Sequence, residues 1–282
     1  MARRNMSWML GLPAVIFIGV LFLAPVIQLL LSSIFERGSD GGIHLSFALY
    51  QVFFSDPHYR VVIARTLGIS AATVVASFVL AFPVALHMRK LNPRWRSVLA
   101  IALLSPLLTS VVVRTLAWVM LLGPKGIMNN ALIAMGLDPV SLIYNDAGVI
   151  IGLTHVFFGY MLLCLMTSIL KLDERLLLAA SNLGASPWRQ AWHIILPLST
   201  PGVVAGAVIV FTMSASAYVT PVLLGGTKTK VMATEIYDLA INYLEWREAA
   251  VVACVLFAGV WVIVALLSRL ADARRIAPTG AR

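Results

Sequence analysis

Charge is scarce in this sequence: Asp, Glu, Lys and Arg make up only 12% of 282 residues, and only 12 of those residues are acids. A water-soluble globule of this length needs more polar surface than that to cover its core, so a soluble fold is excluded. Cysteine is nearly absent too. Cys164 and Cys254 both lie in apolar runs and read as small hydrophobes rather than as a disulfide or a metal site. The phosphate-cradling pattern GxxxxGK[ST] is missing, and Gly225-Gly226-Thr227-Lys228-Thr229 has the wrong spacing for it, so any ATP hydrolysis must be done by another chain. There is no HExxH and no paired-aspartate arrangement, and no acid falls inside an apolar segment, so nothing supports an intramembrane hydrolase. The alternative of a secondary transporter driven by an ion gradient lacks the embedded acid that would couple protons or sodium.

What is present is apolar: 60% of the side chains, with a mean hydropathy of +0.93. A spanning helix needs about 20 mostly apolar residues, since each rises about 1.5 Å through a hydrocarbon core about 30 Å thick. Six segments qualify, near 9–34, 61–88, 98–122, 147–170, 198–224 and 249–267. They predict an all-α polytopic membrane protein with a single transmembrane domain over 1–273 and a tail over 274–282. The first segment is too long for a signal peptide and lacks a small-x-small cleavage site, so it reads as a retained anchor.

With the N-terminus inside, thirteen Lys and Arg fall on the inner side and six outside, with Arg65 and Arg114 in the membrane. The positive-inside rule then predicts cytoplasmic termini. Nine of the acids lie outside, from Glu36 to Glu248, and three inside, so the basic balance is a topology signal directed at lipid headgroups and carries no nucleic-acid implication.

The connections carry further structure. Phe47–Phe54 predicts an interfacial helix after a Gly-Ser-Asp patch, and 129–136 a short outer helix after the breaker Gly123-Pro124-Lys125-Gly126. The inner connection 171–197 has helical periodicity in two pieces. Gly184 suits the position that ends the first, Ser186 the cap of the second, and Pro187 its first turn. A cytoplasmic helix-turn-helix is expected. On the outer side, Met232–Leu244 is amphipathic.

Within the membrane, Arg114 is the outstanding residue. An arginine inside a span costs about 2.5–3.5 kcal/mol on insertion scales, so it must face protein or a wet cavity. It either lines a solute path or pins unwound carbonyls. Ser214, Ser216, Tyr218 and Thr220 form a polar strip toward the outer mouth, with Ser214 and Tyr218 on one expected helical face that Pro221 continues. That strip either lines the path or joins helices. His155 reads as a packed or hydrogen-bonded structural residue.

The inner connection reads Leu178-Ala179-Ala180, then three residues, Gly184, nine residues, and Ile194-Ile195-Leu196-Pro197. It resembles the EAA loop, E-A-A-x3-G-x9-I-x-L-P, of permeases from binding-protein-dependent ABC importers, with Leu178 in place of the glutamate. Arg65-Thr66-Leu67, Val113-Arg114-Thr115 with Trp118, Leu183-Gly184-Ala185-Ser186 and Tyr218-Val219-Thr220-Pro221 with Leu224-Gly225-Gly226 are similar to the spermidine/putrescine-type group. The resemblance implies a bacterial inner-membrane permease that binds no cofactor itself. Its partners would be a nonidentical second permease, two cytoplasmic ATPase subunits carrying ATP and Mg, a periplasmic solute-binding protein and membrane lipid. Leu178, Ala179, Ala180, Gly184, Ile194, Leu196 and Pro197 would then form the ATPase-coupling loop, and the cargo would be a polyamine or another small organic cation moved by alternating access.

Overall fold

A computed structural model describes residues 2–37 and 42–276. The Gly-Ser-Asp patch at 38–40 and the end of the expected tail, 277–282, lie outside the described residues. Contacts divide the chain into two compact units, Met1–Arg60 with Glu235–Phe257, and Val61–Thr234 with Ala258–Arg282.

The first unit opens with α1 (Ala2–Ile34), whose stretch Val15–Ile34 is apolar enough to span a bilayer. Phe17, Phe22 and Leu30 all point outward, as lipid-facing residues do. Strands β1 (Phe35–Arg37) and β2 (Ile43–Leu45) then pair antiparallel with Glu36 opposite His44, and α2 (Ala48–Ser55) follows. That helix matches the expected interfacial segment; the strand pair is an addition. Polar ties hold the unit together. The Tyr50 hydroxyl donates to Ser33 Oγ at 2.9 Å, and burial raises its pKa. Arg247 pairs with Glu36 at 3.1 Å, and its hydrogen bond holds that carboxyl below the usual carboxylate range. His58 Nε2 lies 3.2 Å from Glu235.

In the second unit, α3 (Pro57–Lys90) continues from the first and α4 (Pro93–Leu104) is capped by Asn92, whose side chain accepts from Trp95 N. Next come a tight 3-10 turn (Ser105–Leu108), α5 (Val111–Leu122), α6 (Ile127–Ala134) and α7 (Asp146–Ile169). The hairpin helices α8 (Glu174–Asn182) and α9 (Pro187–Gln190) run through a wide π-type turn (Ala191–Ile195) into α10 (Leu196–Leu198), and α11 (Thr200–Ala215) closes the bundle. Helix α7 is its centre: Val149, Leu153, Met161, Leu165 and Ile169 are at most 1% exposed.

Helix α11 lies along α7 through two glycines. A Cβ at Gly206 would sit 2.5 Å from Met161 Sδ, and one at Gly202 would sit 2.6 Å from the Cys164 carbonyl oxygen. Helix contact in lipid is driven by close packing rather than by the hydrophobic effect, and these small residues permit it.

Beyond α11 come a π-type turn at Pro221–Gly225, α12 (Met232–Tyr237), a second at Asp238–Asn242, and α13 (Trp246–Ile276). The helical stretch 232–242 matches the amphipathic outer segment expected there.

Among the described residues five helices are long and apolar enough to cross a membrane, and a sixth span follows if the bent pair Pro187–Leu198 and Thr200–Ala215, meeting at 71°, is taken as one. Two expected spans are redrawn. The third apolar stretch runs over Val111–Ala134 rather than 98–122, because the helix breaks at 105–110. Pro106 has no N–H to give, and Thr109 and Ser110 are extended, with ψ of 146° and 133°. The fifth span, expected over 198–224, is helical only to Ala215 before it resumes at Val219.

Candidate functional site

Two places bring the candidate residues together. The first is the helical hairpin. Asp173 caps α8 by accepting from Arg175 N at 2.9 Å. The helix ends in a Schellman motif: Gly184 N donates to Ser181 O and Ala185 N to Ala180 O, both at 2.9 Å. Gly184 holds φ of +79°, the left-handed region that glycine alone enters without a Cβ penalty. Space is not the constraint there, since nothing lies within 4 Å of where a Cβ would stand. Ser186 Oγ then accepts from Arg189 N and Pro187 opens α9.

The two arms are braced across the turn. Gln190 Nε2 donates to Ser181 Oγ at 2.8 Å and to Ala185 O at 3.0 Å. This brace was not read from the sequence; a glutamine at a helix end carries no signal of its partner. Leu177 and Leu196 pack inward against the bundle core, while Ile194 is half-buried and Ala179 and Pro197 are exposed. Leu178, at the position of the motif's glutamate, is 63% exposed.

The second place is the pair of helix breaks in the middle of the bundle. Arg114, only 8% exposed, sits four residues past the first break, and its Nη2 donates to the free carbonyl of Thr109 at 2.6 Å. Its Nε and Nη1 find no acceptor among the described residues. Thr115 Oγ1 lies 3.3 Å from Thr220 Oγ1, joining α5 to the chain after the second break. On the next turn Trp118 Nε1 donates to Nδ1 of His155 at 3.1 Å, with the rings edge to face, so His155 is tied to a neighbouring helix by its ring. Gly152 lets this assembly close: a Cβ there would meet Leu224 Cδ1 at 2.5 Å and Thr220 Cγ2 at 2.9 Å.

The polar strip is not the single face expected. Helix α11 ends at Ala215, so Ser214 and Tyr218 do not share one helical face and Pro221 does not extend it. Ser214 and Thr220 are buried, Tyr218 is half-buried and Ser216 is exposed, with its hydroxyl turned back to Thr212 O. Tyr144 is a residue that sequence reasoning missed. It takes φ of +60°, rare for a bulky side chain, its N–H donates to Leu224 O, and Gly226 leaves room beneath its ring. At the start of α7, Arg65 of α3 pairs with Asp146 at 3.3 Å and donates to Lys228 O, which fixes the loop after Gly226.

Residues 78–277 match the family described as binding-protein-dependent transport system inner membrane component. The chain belongs to this family. It is a permease subunit of an ABC importer and a multi-pass inner-membrane protein. Among its relatives, the spermidine/putrescine transport system permease protein PotB of Haemophilus influenzae is 30% identical over 260 residues, 90% of this chain and 89% of that protein. PotB of Escherichia coli is 32% identical over 197 residues, 69% of this permease and 72% of that protein. A solved bacterial alginate ABC transporter, in complex with a periplasmic protein carrying an alginate pentasaccharide, has a chain of the same fold. Its TM-score is 0.81 at 21% identity, with 99% of this permease and 98% of that chain covered.

Proposed function

We propose that this permease passes a polyamine, or another small organic cation, from a periplasmic binding protein to the cytoplasm by alternating access. Support for the cargo comes from the relatives that are 30% identical over 260 residues and 32% identical over 197 and are spermidine/putrescine permeases by name. Nine acids assigned to the outer side add to it, since they favour a cationic solute near the entrance. ATP and Mg reside on two cytoplasmic ATPase subunits, and this chain binds neither. The coupling role rests on one observation, the hairpin closed at Gly184 with Leu178, Ala179, Ala180, Ile194, Leu196 and Pro197 along it. ATPase closure pushes the hairpin and the spans yield at the two helix breaks; Arg114 holds the backbone of the first, and the solute passes along Ser214, Ser216, Tyr218 and Thr220.

Because Leu178 offers no carboxylate, the second permease is nonidentical and supplies the glutamate on its own loop. Proteoliposomes holding both permeases, the ATPase and the binding protein should take up spermidine or putrescine only with ATP inside. A homodimer of this chain that transports with the ATPase would overturn the asymmetry.

Both termini are cytoplasmic in this reading. A maleimide that cannot cross the membrane should label Ser186→Cys only from the cytoplasmic side and Thr227→Cys only from the outside, in a background with Cys164 and Cys254 replaced. Labelling of both from one side would end the topology.

A further inference from the structure

The loop between α6 and α7 ends in a braced corner. Asn145 caps α7 by accepting from Gly148 N at 2.9 Å, and its Nδ2 donates back to Ser141 O at 2.6 Å. Asp146, the next residue, is held by Arg65 at 3.3 Å. Within this corner Tyr144 takes φ of +60°, with its side chain 54% exposed. What it gains there is one bond: its N–H donates to Leu224 O at 2.6 Å, across to the π-type turn that follows the second helix break. Leu224 is buried against Gly152, so the turn sits closed over α7. Gly226, just beyond it, is shaped to the same arrangement. It holds φ of 59° with ψ of −153°, a conformation open to little but glycine, and a Cβ there would stand 2.8 Å from Cδ1 of the Tyr144 ring.

A bulky residue stays in the left-handed region only where its surroundings hold it, and the strain is of the same order as the net gain from one backbone hydrogen bond. At Tyr144 the two offset each other, so corner and turn are joined without being locked. Resting on the topology and on the solute path proposed along Ser214, Ser216, Tyr218 and Thr220, we infer that the bond from Tyr144 to Leu224 is the latch of the outer gate. It holds the turn Pro221–Gly225 against the corner while the path is closed at this end. When the turn swings away to admit solute, the bond breaks and Tyr144 relaxes to negative φ, which offsets the loss.

The two sides of the latch differ in what holds them. The corner is fixed by Asn145 and by Arg65 on Asp146. The turn is bounded by pliant backbone: non-helical residues at Ser216–Tyr218 before it, Pro221 with no N–H to give at its start, and Gly225-Gly226 at its end. Arg65 holds Lys228 O at 3.1 Å, so the chain is anchored again only after the second glycine. The turn is therefore the moving part. Donor and acceptor both belong to the backbone, so residue 144 acts through its preference for φ, and the ring is a cover over Gly226.

The test uses the full importer with its binding protein in proteoliposomes, with Cys164 and Cys254 replaced and a reporter cysteine at Ser214, which is 5% exposed. The rate at which a membrane-impermeant methanethiosulfonate reaches that cysteine from outside during ATP turnover reads the opening of the gate. Tyr144→Gly keeps the N–H and takes the left-handed region without a Cβ penalty, so it favours the closed gate, and labelling and uptake should both slow by roughly three- to tenfold. Tyr144→Ala loses the ring but keeps the bond and the strain, and should label at the rate of the parent. Gly226→Ala strains the turn and pushes on the ring, and should label severalfold faster. If that variant does not assemble, the two substitutions at Tyr144 decide alone. Labelling that is unchanged or faster in Tyr144→Gly overturns the latch and leaves the path in place. Faster labelling in Tyr144→Ala also overturns it, because the ring and not the backbone would then be the seal. A parent importer that transports while its reporter cysteine never reacts from outside would instead remove the path reading, and the latch with it.

Discussion

Replacing Gly184 with valine is expected to leave the importer hydrolysing ATP without moving solute. Gly184 holds φ of +79°, with open space where a Cβ would go, so the substitution is penalised by backbone strain and not by a clash with neighbours. A β-branched residue in the left-handed region costs about 1–3 kcal/mol. That is enough to shift the hairpin about ten- to a hundredfold away from its bent form. The Schellman bonds to Ala180 and Ser181 are lost with the bend, and Gln190 can no longer reach Ser181 across the turn. Because the strain falls on an exposed turn, the bundle folds and the ATPase still turns over. Uptake per ATP hydrolysed should fall at least tenfold. Asparagine tolerates the left-handed region, so Gly184→Asn should keep most of the coupling and separate strain from loss of the glycine as such. Coupled uptake at the wild-type ratio in Gly184→Val would show that the bend is not the coupling element.

Much of that hairpin could be read from residues alone, because its signals are local. A glycine at a helix end, a serine three residues before its hydrogen-bonded amide, and a proline in the first turn act on their own backbone, and the chain takes the form they dictate at 184, 186 and 187. The short helices α2 and α6 follow from similarly local apolar runs. The spans were less faithfully foretold. Hydropathy registers the solvent a segment prefers and is blind to whether its backbone is continuous, so Ser105–Ser110 and Ser216–Tyr218 passed as helix interior. Pro106 was the available sign of the first break. Pro221 was the sign of the second, since it has no N–H to give the Ala217 carbonyl four residues back. The strand pair Phe35–Arg37 with Ile43–Leu45 and the left-handed Tyr144 depend on contacts far from their own sequence, at Arg247 and at Leu224 with Gly226. Nothing in a local window announces such partners.

The break at 105–110 gives Arg114 its task. Extended backbone at Thr109 leaves a carbonyl without a helical partner in a bundle read as lying in lipid, where such a group costs several kcal/mol. Arg114 reaches back over one turn and donates Nη2 to it at 2.6 Å, while its own amide donates to Ser110 O. The arginine therefore offsets the break, and the break gives the arginine an acceptor, in a stretch of sequence that holds no acid from Pro57 to Leu137. Arg114→Lys keeps the charge and loses the planar fork with its bent reach. Losing a charge-assisted hydrogen bond of this kind costs about 1.5–3 kcal/mol, and the Thr109 carbonyl is left without its partner. The variant should assemble poorly, with the yield of the permease–ATPase complex down severalfold and its thermal midpoint lowered. Arg114→Leu should be worse, since it gives up the acceptor's partner altogether. The molecules that do assemble should keep the wild-type ratio of spermidine to putrescine uptake, because the guanidinium serves the backbone and a cationic cargo would be repelled by it. Measuring yield, thermal midpoint and that uptake ratio in one series decides the matter. Normal assembly with a changed ratio would move Arg114 from the scaffold to the path.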